Sequence, residues 1–254
     1  MRRGPCRSGN FNENIVQTPR ILPCGDGALT VEFGDTISPD LNGKVIALDE
    51  ILRGHAPAGL IETVPTYRSL TVQFDPVATD YEALVRLLSE ASGDLAPRNA
   101  VGRRWRVPVV YGGEFGVDLD EVARLHGLTP AKLIEIHAGA VYRIYMIGFL
   151  PGFAYLGGLD PKIATSRRMQ PRGKIPAGSI MIGGAQAGIA PMDMPSGWHL
   201  LGRTPVRTYA PEREPVFLFA TGDEIVFEPI DASRWDALEK AALEGEPVAE
   251  EVRP

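Results

Sequence analysis

In "RILPCGDGALTVEFG", Leu29, Val31 and Phe33 alternate with more polar neighbours, which sends every second side chain to one face of a strand. The Gly-Asp-Gly turn before them pairs that strand with "RILP" as an opening hairpin. The period then lengthens. In "SPDLNGKVIALDEILRG" the apolar positions are Leu41, Val45, Leu48 and Leu52, with Ser38 as N-cap, Pro39 at the first helical position and Gly54 as the closing residue, which predicts a helix. Two strand-like runs, "LIETVPTYRSL" and "LTVQFDP", precede a second helical pattern in "DYEALVRLLSEAS" through Leu84, Leu87 and Leu88. With a last strand near "RRWRVPVVYG", this order predicts a small α+β layer of the split βαβ type over residues 20–97, after a disordered tail at 1–19. "GDLAPRNAVGRR" reads as the linker.

Beyond Arg104 the pattern changes again. "DLDEVARLHG" and "TPAKLIEIHAG" are short helices with Asp118 and Thr129 as N-caps. Short apolar runs then follow one another, "VYRIYMIGF", "GSIMIGG", "WHLLG" and "PVFLFATGDEIVFEPI", punctuated by Gly and Pro and with "TGDEI" as a turn between two strands. That spacing marks a β-barrel or sandwich over 104–232, with a helix in "ASRWDALEKAALEGE" and an acidic tail closing the chain at 233–254.

Composition narrows the function classes. The 254 residues are 44% hydrophobic, enough for a sizeable core without metals or disulfides. Twenty-six Lys and Arg against 32 Asp and Glu give a net charge of −6, which argues against a nucleic-acid-binding surface. Cys6 and Cys24 form neither a disulfide framework nor a thiolate metal set, and a reducing cytoplasm suits them. The N-terminus lacks an apolar signal core and no stretch reaches 18 apolar residues, so neither export nor a membrane span is expected.

Phosphate-loop, dinucleotide, nucleophile-elbow and His-Glu-x-x-His signatures are absent: Gly173-Lys174 is followed by Ile175, and "GGAQAG" has the wrong spacing. Four Gly/Pro-rich patches instead concentrate Arg172, Lys174, Ser179, Gln186, Trp198, Arg203 and Thr204 beside glycines that let backbone amides approach a ligand. Singly, each patch reads as a turn and each arginine as a surface ion pair. Together, cationic side chains with amide and hydroxyl donors point to an anionic group, a phosphate or a carboxylate. "GFLPGFAYLGGL" adds Phe149, Phe153 and Tyr155, the last two on one face if that piece is extended. His126 reads as a helix C-terminus, whereas His137 leads into this aromatic segment and is a candidate for proton handling.

"GFLPGFAYLGGLDP", "PRGKIPAGSIMIGGAQAGIAP" and "PSGWHLLGRTP" closely resemble the family of the 5-oxoprolinase B subunit, also called the allophanate hydrolase subunit 1 or KipI family, and "GDGALTVEFG" and "TVPTYRSLTVQFDP" extend the likeness to residues 20–232. The resemblance implies a ferredoxin-like α/β domain followed by a cyclophilin-like β-barrel. It implies ATP-dependent opening of 5-oxoproline to glutamate, with proteins of the 5-oxoprolinase C and A types as partners and Mg-bound ATP shared with one of them. It places His137, Phe149, Pro151, Phe153, Tyr155, Arg172, Ser179, Gln186, Trp198 and Arg203 at a barrel pocket. Arg172, Lys174 and Arg203 are then expected to meet phosphate charge, Ser179 and Gln186 the lactam amide, and Phe153, Tyr155 or Trp198 its ring. The same family allows a regulator that docks on a histidine kinase, and hydrolysis of allophanate or another amide. The sequence departs from the family pattern at Ala190, Ser196-Gly197 and "TSRRMQPR".

Overall fold

The structure, a computed structural model, describes residues 19–98 and 102–253. The tail expected at 1–19, Cys6 included, lies outside the described residues except for Pro19, as do three linker positions.

The first unit is a four-stranded antiparallel sheet backed by two helices. Its elements are β1 (Arg20–Pro23), β2 (Ala28–Glu32), α1 (Pro39–His55), β3 (Leu60–Pro65), β4 (Ser69–Phe74) and α2 (Tyr81–Gly93), with sheet order β1-β2-β4-β3. Leu29, Val31 and Phe33 face the core with Leu70 and Val72 of β4 and with Val45, Leu48 and Leu52 of α1, so the two periodicities meet in one cluster. Ser38 caps α1, its Oγ accepting from the Asp40 amide at 3.2 Å. Gly54 does not end it: α1 runs to His55, and Ala56 takes the left-handed turn at φ 40°.

The strand expected to complete this layer belongs elsewhere. β5 (Arg104–Tyr111) enters a second sheet with β6 (Val141–Ile147), β7 (Ala154–Gly157), β9 (Ser179–Gly183), β10 (Gln186–Ile189), β12 (His199–Arg203) and β13 (Glu224–Pro229). Their order, β12-β9-β10-β7-β6-β13-β5, closes through β12–β5 pairs Gly202 with Tyr111 and Arg203 with Val110, making a seven-stranded barrel. α3 (Leu119–Leu125) and α4 (Pro130–Ala138) pack on its core through Leu119, Val122 and Leu133. A two-stranded ribbon, β8 (Arg172–Ile175) and β11 (Met194–Ser196), lies outside the ring.

Two sequence expectations change here. "PVFLFATGDEIVFEPI" contributes one strand, β13, the rest making only an isolated bridge from Phe217 to Tyr209. The acidic tail is partly ordered: after α5 (Trp235–Leu243), β14 (Glu250–Val252) pairs antiparallel with β5, where Arg106 Nη1 meets Glu250 Oε2 at 2.8 Å.

The units touch through α1 and the β3–β4 turn. Asn42 Nδ2 donates to the carbonyls of Thr66 and Tyr145, each at 3.1 Å, and the Tyr67 ring stacks on Tyr145 with centroids 4.9 Å apart. No helix among the described residues is long and apolar enough to cross a membrane.

Candidate functional site

Every residue of β9, Ser179 to Gly183, is buried, which alternation alone does not explain. The barrel wall here is apolar on both faces. Ile180 and Ile182 point into the barrel core, while Met181 points outward into a second cluster with Phe153, Ile175, Met194, Trp198 and Leu200. The β8–β11 ribbon covers that outer face with Ile175 and Met194.

An open cleft of about 360 Å³ lies beside this cluster, lined by Phe149, Phe153, Tyr155, Arg167, Arg168, Pro171, Trp198 and the Met194–Gly197 edge. Phe153 meets Tyr155 edge-on with centroids 4.5 Å apart, and Trp198 lies 6.3 Å from Phe153 and 6.2 Å from Tyr155. In β7, Ala154 and Leu156 face the barrel core, so Phe153 and Tyr155 share the outer face. The glycines of the "IGGAQAGI" hairpin make room for rings: a Cβ on Gly183 would sit 2.7 Å from the Trp198 indole, and one on Gly188 would meet Phe153 and Trp198 at 3.3 Å. At the rim Phe149 is 66% exposed and holds φ 70°, a left-handed conformation that is strained for a bulky non-glycine residue.

Two neighbouring features extend this face. Tyr67, from the small unit, reaches an edge contact 6.4 Å from Tyr155. Its hydroxyl is buried without a hydrogen-bond partner, Gln186 lying beside it without closing a bond, and burial pushes its pKa well above the usual tyrosine value. On the other side, a polar cavity of about 560 Å³ shares Arg167 and Arg168 with the cleft and adds Glu121, His126, Ser166, Gln170 and His199.

Asp118 organises the wall between them. Its buried carboxylate receives Arg172 as a fork, at 2.6 and 2.9 Å, Arg168 Nη1 at 3.1 Å and the Leu200 amide at 2.8 Å. Burial alone raises its pKa, but the Arg172 bonds, the Leu200 N–H and Arg168 outweigh it and hold the carboxyl below its usual value. Asp118 stands at the N-cap position of α3, as expected, but makes no capping bond, because stronger charged donors take both oxygens. Asp118 and Glu121 approach His199 closely enough to suggest a metal cluster, but the two guanidiniums already neutralise those carboxylates.

The sequence-nominated residues do not share one pocket. Phe153, Tyr155 and Trp198 line the cleft and Gln186 faces Tyr67. Arg172 is locked on Asp118, and Lys174 pairs with Asp193 at 2.7 Å on the exposed ribbon. Arg203 donates to the Ala177 carbonyl at 3.2 Å and lies 4.8 Å over the Trp235 ring, next to Thr204 in a separate cavity of about 160 Å³ against α5. Ser179 Oγ closes a turn on the Pro176 carbonyl at 2.7 Å. His137 is fully buried against Phe227 and Tyr142, its Nδ1 2.8 Å from the Tyr111 hydroxyl, and burial pushes its pKa down to about 3. This packing leaves the His137 ring no exposed surface, and its Nε2 is buried without a hydrogen-bond partner. Arg167, Arg168, Tyr67 and Asp118 escaped sequence reasoning, although "TSRRMQPR" carried an unexplained pair of adjacent arginines.

Residues 19–219 match the family model described as the carboxyltransferase domain, subdomain C and D. The chain is 38% identical over 229 residues to the 5-oxoprolinase B subunit of Bacillus subtilis, covering 86% of this chain and 95% of that one. It is 41% identical over 168 residues to the Haemophilus influenzae protein of the same name, covering 66% and 78%. The urea amidolyase of K. lactis shares the fold, with a TM-score of 0.79 at 17% identity over 92% of this chain and 16% of that one. With the family model matched over residues 19–219 and 38% identity across 95% of the B. subtilis protein, the chain belongs to the family of the 5-oxoprolinase B subunit.

Proposed function

We propose that this chain is the B subunit of an ATP-dependent 5-oxoprolinase, opening 5-oxo-L-proline to L-glutamate in a cytoplasmic complex with partners of the 5-oxoprolinase C and A types. The match to the B. subtilis protein over 95% of its length carries this reading, and relatives named as oxoprolinase subunits favour the enzyme over a kinase regulator or an allophanate hydrolase. We read the small unit as ferredoxin-like, with β1 at the edge where a closing strand after α2 would lie, and the barrel as cyclophilin-like.

The geometry supports a division of labour. The cleft is the size of a small-molecule site, and its rings offer flat apolar walls to a five-membered lactam. We assign the lactam amide to Gln186 and the Tyr67 hydroxyl, the Tyr67 ring being in edge contact with the cleft-lining Tyr155; such a bond would supply the partner that the buried hydroxyl lacks. ATP, when bound, supplies the phosphoryl group that makes the lactam carbonyl open to water. The polar cavity suits its anionic end: Arg168 Nε is buried there without a partner, and Ser166 and Gln170 add donors. Asp118 holds the arginines in place. The remaining groups around the nucleotide come from the partner, so the isolated chain is expected to be inactive.

The test is reconstitution of this chain with both partners and measurement of ADP release on adding 5-oxoproline. Release that needs this chain supports the proposal, and none above the rate without 5-oxoproline overturns it.

A further inference from the structure

We propose that Arg167 binds the carboxylate of the substrate, and so selects cyclic amides that carry an acid group next to the ring nitrogen. This rests on the oxoprolinase reading above. Each sequence-nominated cation already has a partner: Arg172 has Asp118, Lys174 has Asp193, and Arg203 has a carbonyl and an indole. Arg167 has no carboxylate partner among the described residues. Its guanidinium lies 5.6 Å from the centroid of the Trp198 ring, and it lines both the aromatic cleft and the polar cavity.

The cation–π contact with the indole keeps the guanidinium at the cleft wall, and a guanidinium that no carboxylate occupies can receive one as a fork. A lactam lying against Trp198 and Tyr155 then carries its carboxylate toward that fork. Arg168 does not offer the same fork: its Nη1 is held by Asp118 and Glu121, and its buried Nε, the atom assigned above to the anionic end of ATP, is a single donor.

The experiment uses the reconstituted complex and two ligands that differ only in the acid group, 5-oxoproline as substrate and 2-pyrrolidinone as competitive inhibitor. Arg167→Ala is expected to raise KM for 5-oxoproline about tenfold or more, with smaller effects on kcat, on KM for ATP and on the inhibition constant of 2-pyrrolidinone. Arg167→Lys is expected to recover part of the loss, because charge is kept and the fork is not. Lys162→Ala, an exposed cation outside both cavities, is the control. An unchanged KM for 5-oxoproline, equal weakening of both ligands, or a rise confined to KM for ATP overturns the assignment. Wild-type turnover of 5-oxoproline is read in the same assay, so failure of the oxoprolinase reading is seen separately.

Discussion

Removing the carboxylate of Asp118 is expected to cost more than any surface ion pair in the molecule. Asp118→Ala strands the buried Leu200 N–H, worth about 1–3 kcal/mol, and leaves two guanidiniums without their shared anion. A broken buried pair costs about 3–5 kcal/mol. Here the side chains of Arg168 and Arg172 are 27% and 26% exposed, so water recovers part of their charge and the expected loss is about 3 kcal/mol, near the bottom of that range. For a chain of this size that corresponds to a fall in Tm of roughly 6–12 °C. Urea denaturation of Asp118→Ala, Arg172→Ala and the double variant gives the energies, and the double loss should fall short of the sum of the single losses by at least about 1 kcal/mol. The pH sign follows from the depressed carboxyl: its contribution is complete above the ordinary aspartate value and fades as pH falls through the lower folded value. A loss under about 1 kcal/mol for Asp118→Ala, or strict additivity, would refute the view that Asp118 holds the arginine wall.

Three further outcomes follow from the packing. His137 is neutral in the fold with a pKa of about 3, so from about pH 6.5 downward it lowers stability by about 1.4 kcal/mol per pH unit, a slope that His137→Gln should remove from ΔG measured between about pH 4 and 6. Gly183→Ala should displace Trp198, shifting its fluorescence and raising KM for the substrate, and an unchanged emission spectrum would count against the glycine's role as a floor for the ring. Tyr67→Phe should leave stability within about 0.5 kcal/mol, because the hydroxyl has no partner to lose, yet lower turnover; unaltered turnover would remove Tyr67 from the site.

The secondary structure was legible wherever one face of an element was buried. α1, β2 and the strands around β9 follow their apolar periods, and the alternation argument put Phe153 and Tyr155 on the same face. The small sheet and the barrel were both foreseen, but the strand near "RRWRVPVVYG" was read as closing the small layer although it falls inside the 104–232 barrel span, because an apolar run does not say which edge it will join. Site reasoning was weaker for a physical reason. Glycines were read as openings for ligand-binding amides, whereas Gly183 and Gly188 serve the Trp198 and Phe153 rings. Arginines were read as ligand-facing, but spacing in sequence does not reveal the carboxylate that neutralises each one. Asp118, 54 positions from Arg172, looked like an ordinary helix cap.

The central claim is that substrate binds on the outer aromatic face of the barrel and not at the cations nominated by sequence. It is tested most directly by kcat/KM for 5-oxoproline in complexes carrying Tyr155→Ala or Arg203→Ala. Loss of an aromatic wall should lower kcat/KM at least about tenfold for Tyr155→Ala, while Arg203→Ala, against α5, should stay within about twofold of wild type. A large loss for Arg203→Ala beside an unaffected Tyr155→Ala would contradict the account.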